Sequence, residues 1–210
     1  MDRYKRNQIE AAISEGVGSS GTRPTAELRH RLKRLLDTDR TLGRNPRSVD
    51  PEQAAYAFYA EDAPGSGVEV WFSGYEAFAL LVAFKLLEHG FPQQKAVLAL
   101  RRIRPGLERE HKRMLKLDRR ALFNQDALER SPGQMAVSST DPVFLVIRTQ
   151  EKRAAKSLEG IRICHGEREL MQFIKAALAS YTIFELTRSA HLLDDHLAKT
   201  EPSQRGRAAT

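Results

Sequence analysis

Basic side chains line one face of a helical pattern near the start of the sequence. Four leucines follow Thr25 at the i, i+4, i+7 and i+8 spacing of a single helix face: Leu28, Leu32, Leu35 and Leu36. At about 100° per residue, His30, Lys33 and Arg34 project away from these leucines, and Arg29 lies on the flank. Such a row of cations favours a polyanionic partner such as nucleic acid, and a solvated helix surface is the alternative.

The whole chain is basic, and the basic excess lies in two segments. The 210 residues include 34 Lys and Arg against 27 Asp and Glu, which gives a net charge of +7 and a pI near 9.7. Residues 1–47 hold 11 Lys and Arg against 6 Asp and Glu, and residues 101–131 hold 10 against 5. Residues 48–100 are acidic, with 2 against 7. This distribution favours a nucleic acid or an acidic surface as the partner.

Other reactive side chains do not form a recognisable catalytic or metal-binding pattern. Cys164 and His165 are adjacent in a predicted strand, so their side chains point to opposite faces and a thiol nucleophile is not expected. His191 with Asp194 or Asp195 would suit a metal, but a polar helix face is the favoured interpretation. The sequence contains no Gly-rich phosphate loop, GxSxG or HExxH motif. We therefore predict no enzymatic activity, no metal and no cofactor.

Cysteine usage and hydropathy predict a cytoplasmic protein without a membrane segment. Cys164 is the one cysteine, so an intrachain disulfide is impossible. The longest apolar run covers residues 77–84, whereas about 20 apolar residues are needed to cross a bilayer. The N-terminal sequence MDRYKRNQIEAA also lacks the apolar stretch of a secretory signal.

Two helices would position the basic face. A short apolar stripe predicts a helix over residues 3–14, and the sequence GVGSSG (16–21) predicts a turn. Pro24 and Thr25 form a helix start signal, because proline suits the first helical turn and threonine can cap it. The second helix is therefore predicted over about residues 25–38.

A β-hairpin is predicted after these two helices. The sequences AYAFYA (55–60) and VEVWFS (68–73) are rich in aromatic and β-branched residues. The intervening EDAPGSG has strong turn chemistry. These residues therefore predict two antiparallel strands.

A buried helix is predicted directly after the hairpin. Ser73 and Glu76 match a capping box, in which each side chain accepts from the backbone N–H of the other residue. The helix would run to His89 and is apolar nearly all round, so it should be the centre of the first domain. Gly90 would stop it, and Pro92 would open the next helix.

A long polar helix is predicted to begin at, or kink at, Pro105 and to end near Arg130. Its apolar residues recur every seven positions, and a fifth residue lies on the second seam of the heptad: Leu107, Met114, Ala121, Leu128 and Leu117. A partner helix would pack on this stripe, which predicts a homodimer. The alternative is a helix that lies on its own domain.

A small α+β unit is predicted after a linker over residues 131–141 (SPGQMAVSSTD), which are small, polar and marked by Pro and Gly. Its predicted elements are two strands, a helix, a third short strand and a last helix, over residues 143–149, 160–166, 167–178, 181–187 and 189–199.

The order of these elements resembles the MerR family of winged-helix DNA-binding regulators. The most specific likeness lies in FSGYEAFALLVAFKLLEHGFPQQKAVLAL (72–100), where the family has a wing strand, an apolar helix, a Gly-Phe turn and a further helix. The residues that match this local pattern are Leu87, Gly90, Phe91, Val97 and Leu98. In order of elements the resemblance covers about residues 4–130.

This resemblance implies a role for each basic residue. The helix from Thr25 would enter the major groove, with His30, Lys33 and Arg34 contacting base edges or phosphates. Thr25 itself is also predicted to be a DNA-binding residue. Arginines outside this set would mainly position the phosphate backbone: Arg23, Arg29, Arg44 and Arg47. Ser66 and Gly67 would lie at the tip of the wing. A second cluster would add phosphate contacts or complement a helix dipole: Arg101, Arg102 and Arg104.

Together these patterns predict a mainly helical α+β fold. Its parts are a winged helix-turn-helix domain, a connecting and dimerisation helix, a small α+β domain and a disordered tail, over residues 1–104, 105–131, 132–199 and 200–210. The predicted function is a cytoplasmic transcriptional regulator that binds double-stranded DNA as a homodimer. Its C-terminal unit would bind a small-molecule effector or a protein. The alternative is a protein-interaction or structural adaptor whose basic charge is incidental.

Overall fold

The computed structural model describes residues 3–16, 23–63, 65, 68–117, 142–149, 160–174 and 180–201. Two structural units make up the chain, one of Met1–Arg104 with Leu192–Thr210 and the other of Pro105–His191. The sequence analysis assigned residues 192–199 to the C-terminal domain, whereas they lie in the first unit. The described residues are mainly helical with two small antiparallel sheets, so the predicted α+β class is confirmed.

Helix α4 (Gly74–Glu88) is the centre of the first unit, because 11 of its residues are buried. It packs against α2 (Ala26–Leu42), which in turn packs against α1 (Arg6–Gly16). The leucine stripe of α2 is buried as its spacing predicts, with Leu32 and Leu35 almost fully inaccessible. No helix in the described part of the chain is long and apolar enough to cross a membrane.

The predicted limits of α4 are confirmed by its two ends. The Ser73 hydroxyl accepts from the backbone N–H of Glu76 at 3.3 Å, and the Glu76 carboxylate accepts from the backbone N–H of Ser73 at 2.6 Å. At the other end Gly90 has a φ of 80°, a conformation that favours glycine, and its N–H donates to the carbonyl of Leu87 at 3.0 Å.

The predicted β-hairpin is wrong. Strand β2 (Trp71–Ser73) pairs in antiparallel fashion with β1 (Arg3–Lys5), not with residues 55–60, which contain no strand. The first helix begins at Arg6, three residues later than predicted, because Arg3–Lys5 form strand β1. A single helical turn, α3 (Pro51–Ala54), precedes the segment that was expected to be a strand.

The backbone of residues 55–60 is held by side chains instead of a strand ladder. The N–H groups of Ala57 and Phe58 donate to the carboxylate of Asp39 at 3.1 and 3.0 Å. The carbonyls of Tyr56 and Tyr59 accept from the Arg104 guanidinium. Because buried backbone groups need a partner and these have one, the segment does not require a neighbouring strand.

One continuous helix, α5 (Gln93–Met114), replaces the two helices predicted on either side of Pro105. Pro105 lies inside it, and the unit boundary follows Arg104. The chain forms a turn after Met114, whereas the prediction continued the helix to Arg130. The predicted residues beyond 117 lie outside the described part of the chain.

The second unit contains a three-stranded antiparallel sheet with β3 (Val143–Thr149) in the middle. Its neighbours are β4 (Ile161–His165) and β5 (Ser180–Glu185), and α6 (Gly166–Ile174) follows β4 directly. Val146 pairs with Arg162 on one side and Ile183 on the other. All three strands and the helix after β4 were predicted at these positions.

The last helix, α7 (Thr187–Lys199), begins in the second unit and ends in the first. Within the first unit its end contacts α1 and the start of the chain. His196 Nδ1 lies 2.6 Å from Glu15 Oε2, and the Gln8 side chain donates to the carbonyl of Thr200 at 2.7 Å. The first unit is therefore assembled from both ends of the sequence.

Candidate nucleic-acid interface

The polar face of α2 presents the cations that the sequence predicts. Arg29, His30, Lys33 and Arg34 are all exposed, whereas the leucines on the opposite face are buried. Helix geometry explains the separation, because residues three or four apart share a face and these two sets are offset by about half a turn. Arg23, just before the helix, is also exposed.

Most of these cations lack an anionic partner. Among the described residues, Arg23, His30, Lys33 and Arg34 form no ion pair and no side-chain hydrogen bond. Arg29 donates only to the carbonyl of Pro24, at 2.9 Å, which folds its side chain toward the start of the helix. Unpaired cations are the groups that can exchange their counterions for phosphates. This exposed set, Arg23, Arg29, His30, Lys33 and Arg34, is called the α2 basic face below.

Two other arginines of α2 differ from that set, because each lies close to a carboxylate. Arg31 pairs with Glu27 one turn earlier. Arg40 lies 3.8 Å from the carboxylate of Asp37. The exposed basic residues of α2 that lack a carboxylate partner among the described residues therefore lie between Arg29 and Arg34.

Thr25 is a structural residue. Its Oγ1 accepts from the backbone N–H of Leu28 at 3.1 Å, which caps the first turn of α2. The cap was predicted from sequence, and the proposed DNA contact of this hydroxyl has to compete with it. The start of α2 is also held from α1, because Arg6 Nη2 donates to the carbonyl of Arg29 at 3.4 Å.

A buried ion pair fixes the other end of α2. Asp39 and Arg101 are 0% and 2% exposed, and Arg101 Nε lies 2.7 Å from Asp39 Oδ1. The same guanidinium donates to the carbonyls of Asp39, Gly43 and Glu52 at 2.6, 2.7 and 3.0 Å. Burial raises the pKa of the Asp39 carboxyl, while hydrogen bonds from Phe58, Arg101 and Ala57 act in the opposite direction.

The second predicted cluster of phosphate contacts is therefore a structural cluster. Arg101 and Arg104 are buried, and Arg104 also lies over the Tyr75 ring, 5.4 Å from its centroid. Arg102 pairs with Glu52. The sequence contained a signal for this result, because Arg101 and Arg104 lie on the helix stripe of Val97 and Leu100, which is apolar and buried.

Arg44 and Arg47 were also predicted to contact phosphates, and their surroundings differ. Arg44 pairs with Asp62 at 2.8 Å, and its guanidinium lies over the Tyr56 ring, 5.7 Å from the centroid. Arg47 is exposed, and in the part of the chain that the structure describes its side chain has no charged partner. Ser66 and Gly67, the predicted wing tip, lie outside the described residues.

The predicted dimerisation stripe is partly covered by the chain itself. Leu107 and Met114 are fully buried, so neither side chain is available to a second copy. Leu117 is half-buried and follows the end of α5. Ala121 and Leu128 lie outside the described residues.

The side chains of Cys164 and His165, which are adjacent in β4, have different surroundings. Cys164 is fully buried, and burial raises the pKa of its thiol. His165 instead contacts α5, with Nδ1 2.7 Å from Arg113 Nη2 and 3.4 Å from Glu110 Oε2. Within the described ranges, no group of three or more His, Cys, Asp or Glu could hold a metal ion.

Comparisons of the chain with protein-family models, curated proteins and solved structures found no match.

Proposed function

We propose that the chain is a cytoplasmic DNA-binding transcriptional regulator of the winged helix-turn-helix type, similar to the MerR family. In this proposal α1 and α2 are the helix-turn-helix, and α2 enters the major groove. The two-stranded sheet of β1 and β2 accompanies the two helices. His30, Lys33 and Arg34 contact base edges or phosphates, while Arg23, Arg29 and Arg47 contact the phosphate backbone.

The observation that carries the proposal is the unpaired state of the α2 basic face. Elsewhere in the first unit most described cations are committed to carboxylates or to backbone carbonyls, as at Arg44, Arg101 and Arg104. Several exposed basic side chains without carboxylate partners on one helix repel one another, which destabilises the free protein. Binding of a polyanion removes this repulsion. The rigid support of α2 at both ends also favours docking of the helix as one body.

The deciding experiment measures the binding of random-sequence duplex DNA by fluorescence anisotropy at about 50 and about 200 mM salt. The full chain should bind with steep salt dependence. The double variant Lys33→Ala, Arg34→Ala should bind more weakly, and the slope of log K against log salt should fall by about 1.8, because each lost phosphate contact removes about 0.9.

A matched control removes the same two charges from another exposed surface. Arg188 and Lys199 are exposed on α7, so Arg188→Ala, Lys199→Ala should leave both affinity and slope close to those of the unaltered chain. Equal losses in the two double variants would show that only the net charge matters. Absence of binding at the lower salt would overturn the proposal and favour a protein partner.

The same proposal includes a homodimer on DNA, since helix-turn-helix proteins commonly bind two half-sites about one helical turn apart. Light scattering of the free chain and of its DNA complex would measure the number of copies. Two copies on a duplex of two half-sites is the expected result, and one copy per duplex would contradict it.

A further inference from the structure

A cavity of about 300 Å³ lies within the second unit, between the three-stranded sheet and α6. Six side chains from β3, β4, α6 and β5 line it: Arg148, Arg162, Glu169, Gln172, Phe173 and Tyr181. Its volume is at the lower end of the range of small-molecule sites. Neither the proposed DNA contact nor the fold of the unit accounts for this combination of side chains.

The strand register places Arg148 between Gly160 and Tyr181. Arg148 pairs with Tyr181 on one side and its N–H donates to the carbonyl of Gly160 on the other, at 2.9 Å. Directly opposite residues of antiparallel strands present side chains to the same face. Gly160 contributes none, and a Cβ there would lie 2.6 Å from the Cβ of Arg148. A side chain at position 160 would therefore clash with Arg148, and glycine allows the two strands to approach closely here.

The charges that line the cavity do not cancel. Arg162 Nη2 donates to Glu169 Oε1 at 2.9 Å. Glu169 Oε2 also accepts from the backbone N–H of His165 at 2.8 Å, so both oxygens of the carboxylate are occupied. Arg148 is exposed and forms no ion pair with any described residue. The lining thus holds one guanidinium more than it holds carboxylates.

Aromatic rings form the apolar side of the cavity. Phe173 and Tyr181 meet edge to face, with ring centroids 5.8 Å apart. The Arg162 guanidinium lies over the Phe173 ring, 5.5 Å from its centroid. These contacts hold the Phe173 ring in place, and an incoming planar group would find an ordered apolar surface.

We propose that this cavity binds a small monoanion that carries an aromatic ring. Its carboxylate pairs with Arg148, and its ring packs against Phe173 and Tyr181. Arginine suits this task because its planar fork can donate two parallel hydrogen bonds to a carboxylate. The pair of Arg162 and Glu169 is a positioning element, which orders the wall and leaves the Arg148 charge for the ligand.

Calorimetric titration of the full chain with three probes tests the ligand class. Benzoate carries both the ring and the charge, benzamide carries the ring alone, and acetate carries the charge alone. Benzoate should bind at least about tenfold more tightly than benzamide, because benzamide has no charge to pair with Arg148. It should also bind at least about tenfold more tightly than acetate, because acetate has no ring to pack against Phe173 and Tyr181.

Two matched variants test the location. Arg148→Met should weaken benzoate binding by about tenfold or more, whereas Arg168→Met, which removes an exposed charge of α6 that does not line the cavity, should leave it unchanged. Phe173→Leu should reduce the preference for benzoate over acetate. Failure of benzoate to bind at about 10 mM, equal binding of benzamide, or equal losses in the two arginine variants would overturn the proposal. None of these measurements involves DNA, so the proposed function is tested separately.

Discussion

Asp39 and Arg101 form a buried ion pair that joins three parts of the first unit. Asp39 lies in α2 and Arg101 in α5, and their contacts include the carbonyls of Gly43 and Glu52 and the N–H groups of residues 57 and 58. The two charges therefore connect α2 directly to α5. Their satisfied hydrogen bonds make this arrangement possible at nearly zero exposure.

Removing Arg101 should strongly destabilise the protein. Arg101→Met leaves the Asp39 carboxylate without its cation and three carbonyls without the guanidinium donor, so the free energy of unfolding should fall by about 3–5 kcal/mol in urea titrations. Arg102→Met is the control, because the half-exposed pair of Arg102 and Glu52 should contribute no more than about 1 kcal/mol. Similar losses in the two variants would contradict the structural role assigned to Arg101.

Stability should fall in mildly acidic solution because of His111. Burial lowers the pKa of this imidazole from 6.5 to about 4, with Lys112 and His191 acting in the same direction and Glu108 in the opposite one. Between these two values the unfolded chain binds a proton that the folded chain does not. The free energy of unfolding should therefore decrease as the pH falls from 6.5 toward 4, by up to about 3 kcal/mol.

Urea titrations at several pH values measure this dependence. His111→Leu should flatten the dependence of the free energy of unfolding on pH, even where the variant also changes stability at neutral pH. The control is His30→Gln, which removes an exposed imidazole, and the flattening should be specific to His111→Leu. If the slope of stability against pH survives in His111→Leu, another group is responsible.

Substitution by alanine should change the stability of the protein in opposite directions at two glycines. Gly90 has a φ of 80° with nothing within 4 Å of an added Cβ, so Gly90→Ala should cost about 1 kcal/mol from backbone strain alone. Gly106 lies inside α5, where a Cβ would make an ordinary 3.5 Å contact with Ile163 Cδ1. Gly106→Ala should therefore raise stability by about 0.5–1 kcal/mol. Thermal unfolding of both variants checks the signs, and stabilisation by Gly90→Ala would be inconsistent with its helix-ending role.

Two arginines that the sequence treated alike should differ in DNA binding. Arg47 has no charged partner among the described residues, so Arg47→Ala should weaken binding and lower the salt slope by about 0.9. Arg44 is paired with Asp62, and Arg44→Ala should change the slope much less. Anisotropy titrations compare the two variants, and a larger effect at Arg44 would reverse this ranking.

Elements that depend on local pattern were predictable from the sequence. The capping box at Ser73, the helix stop at Gly90 and the strand over 143–149 all follow from residues within a few positions of one another. The exposure of Lys33 and Arg34 was also predictable, because helical spacing fixes which side chains oppose the leucine stripe.

Features that depend on distant partners were not predictable in the same way. Residues 55–60 have strand-like composition, yet their backbone is bound by Asp39 and Arg104, which lie far away in sequence. A pattern analysis assigns charged residues to the surface, so it misassigned Arg101 and Arg104. The cavity beside Arg148 required the register that sets Gly160 and Tyr181 on either side of it.

The contacts of Gln8 and Glu15 with the end of α7 bear on how the protein is made. A ribosome releases the N-terminal residues first, but the first unit receives residues 192–201 only after the whole second unit, Pro105–His191, has been synthesised. This unit therefore cannot finish folding during translation in the order in which independent domains usually do. A nascent chain would hold α1 and α2 without their last neighbour until α7 leaves the exit tunnel. Removal of residues 192–201 would thus damage the unit that carries the α2 basic face.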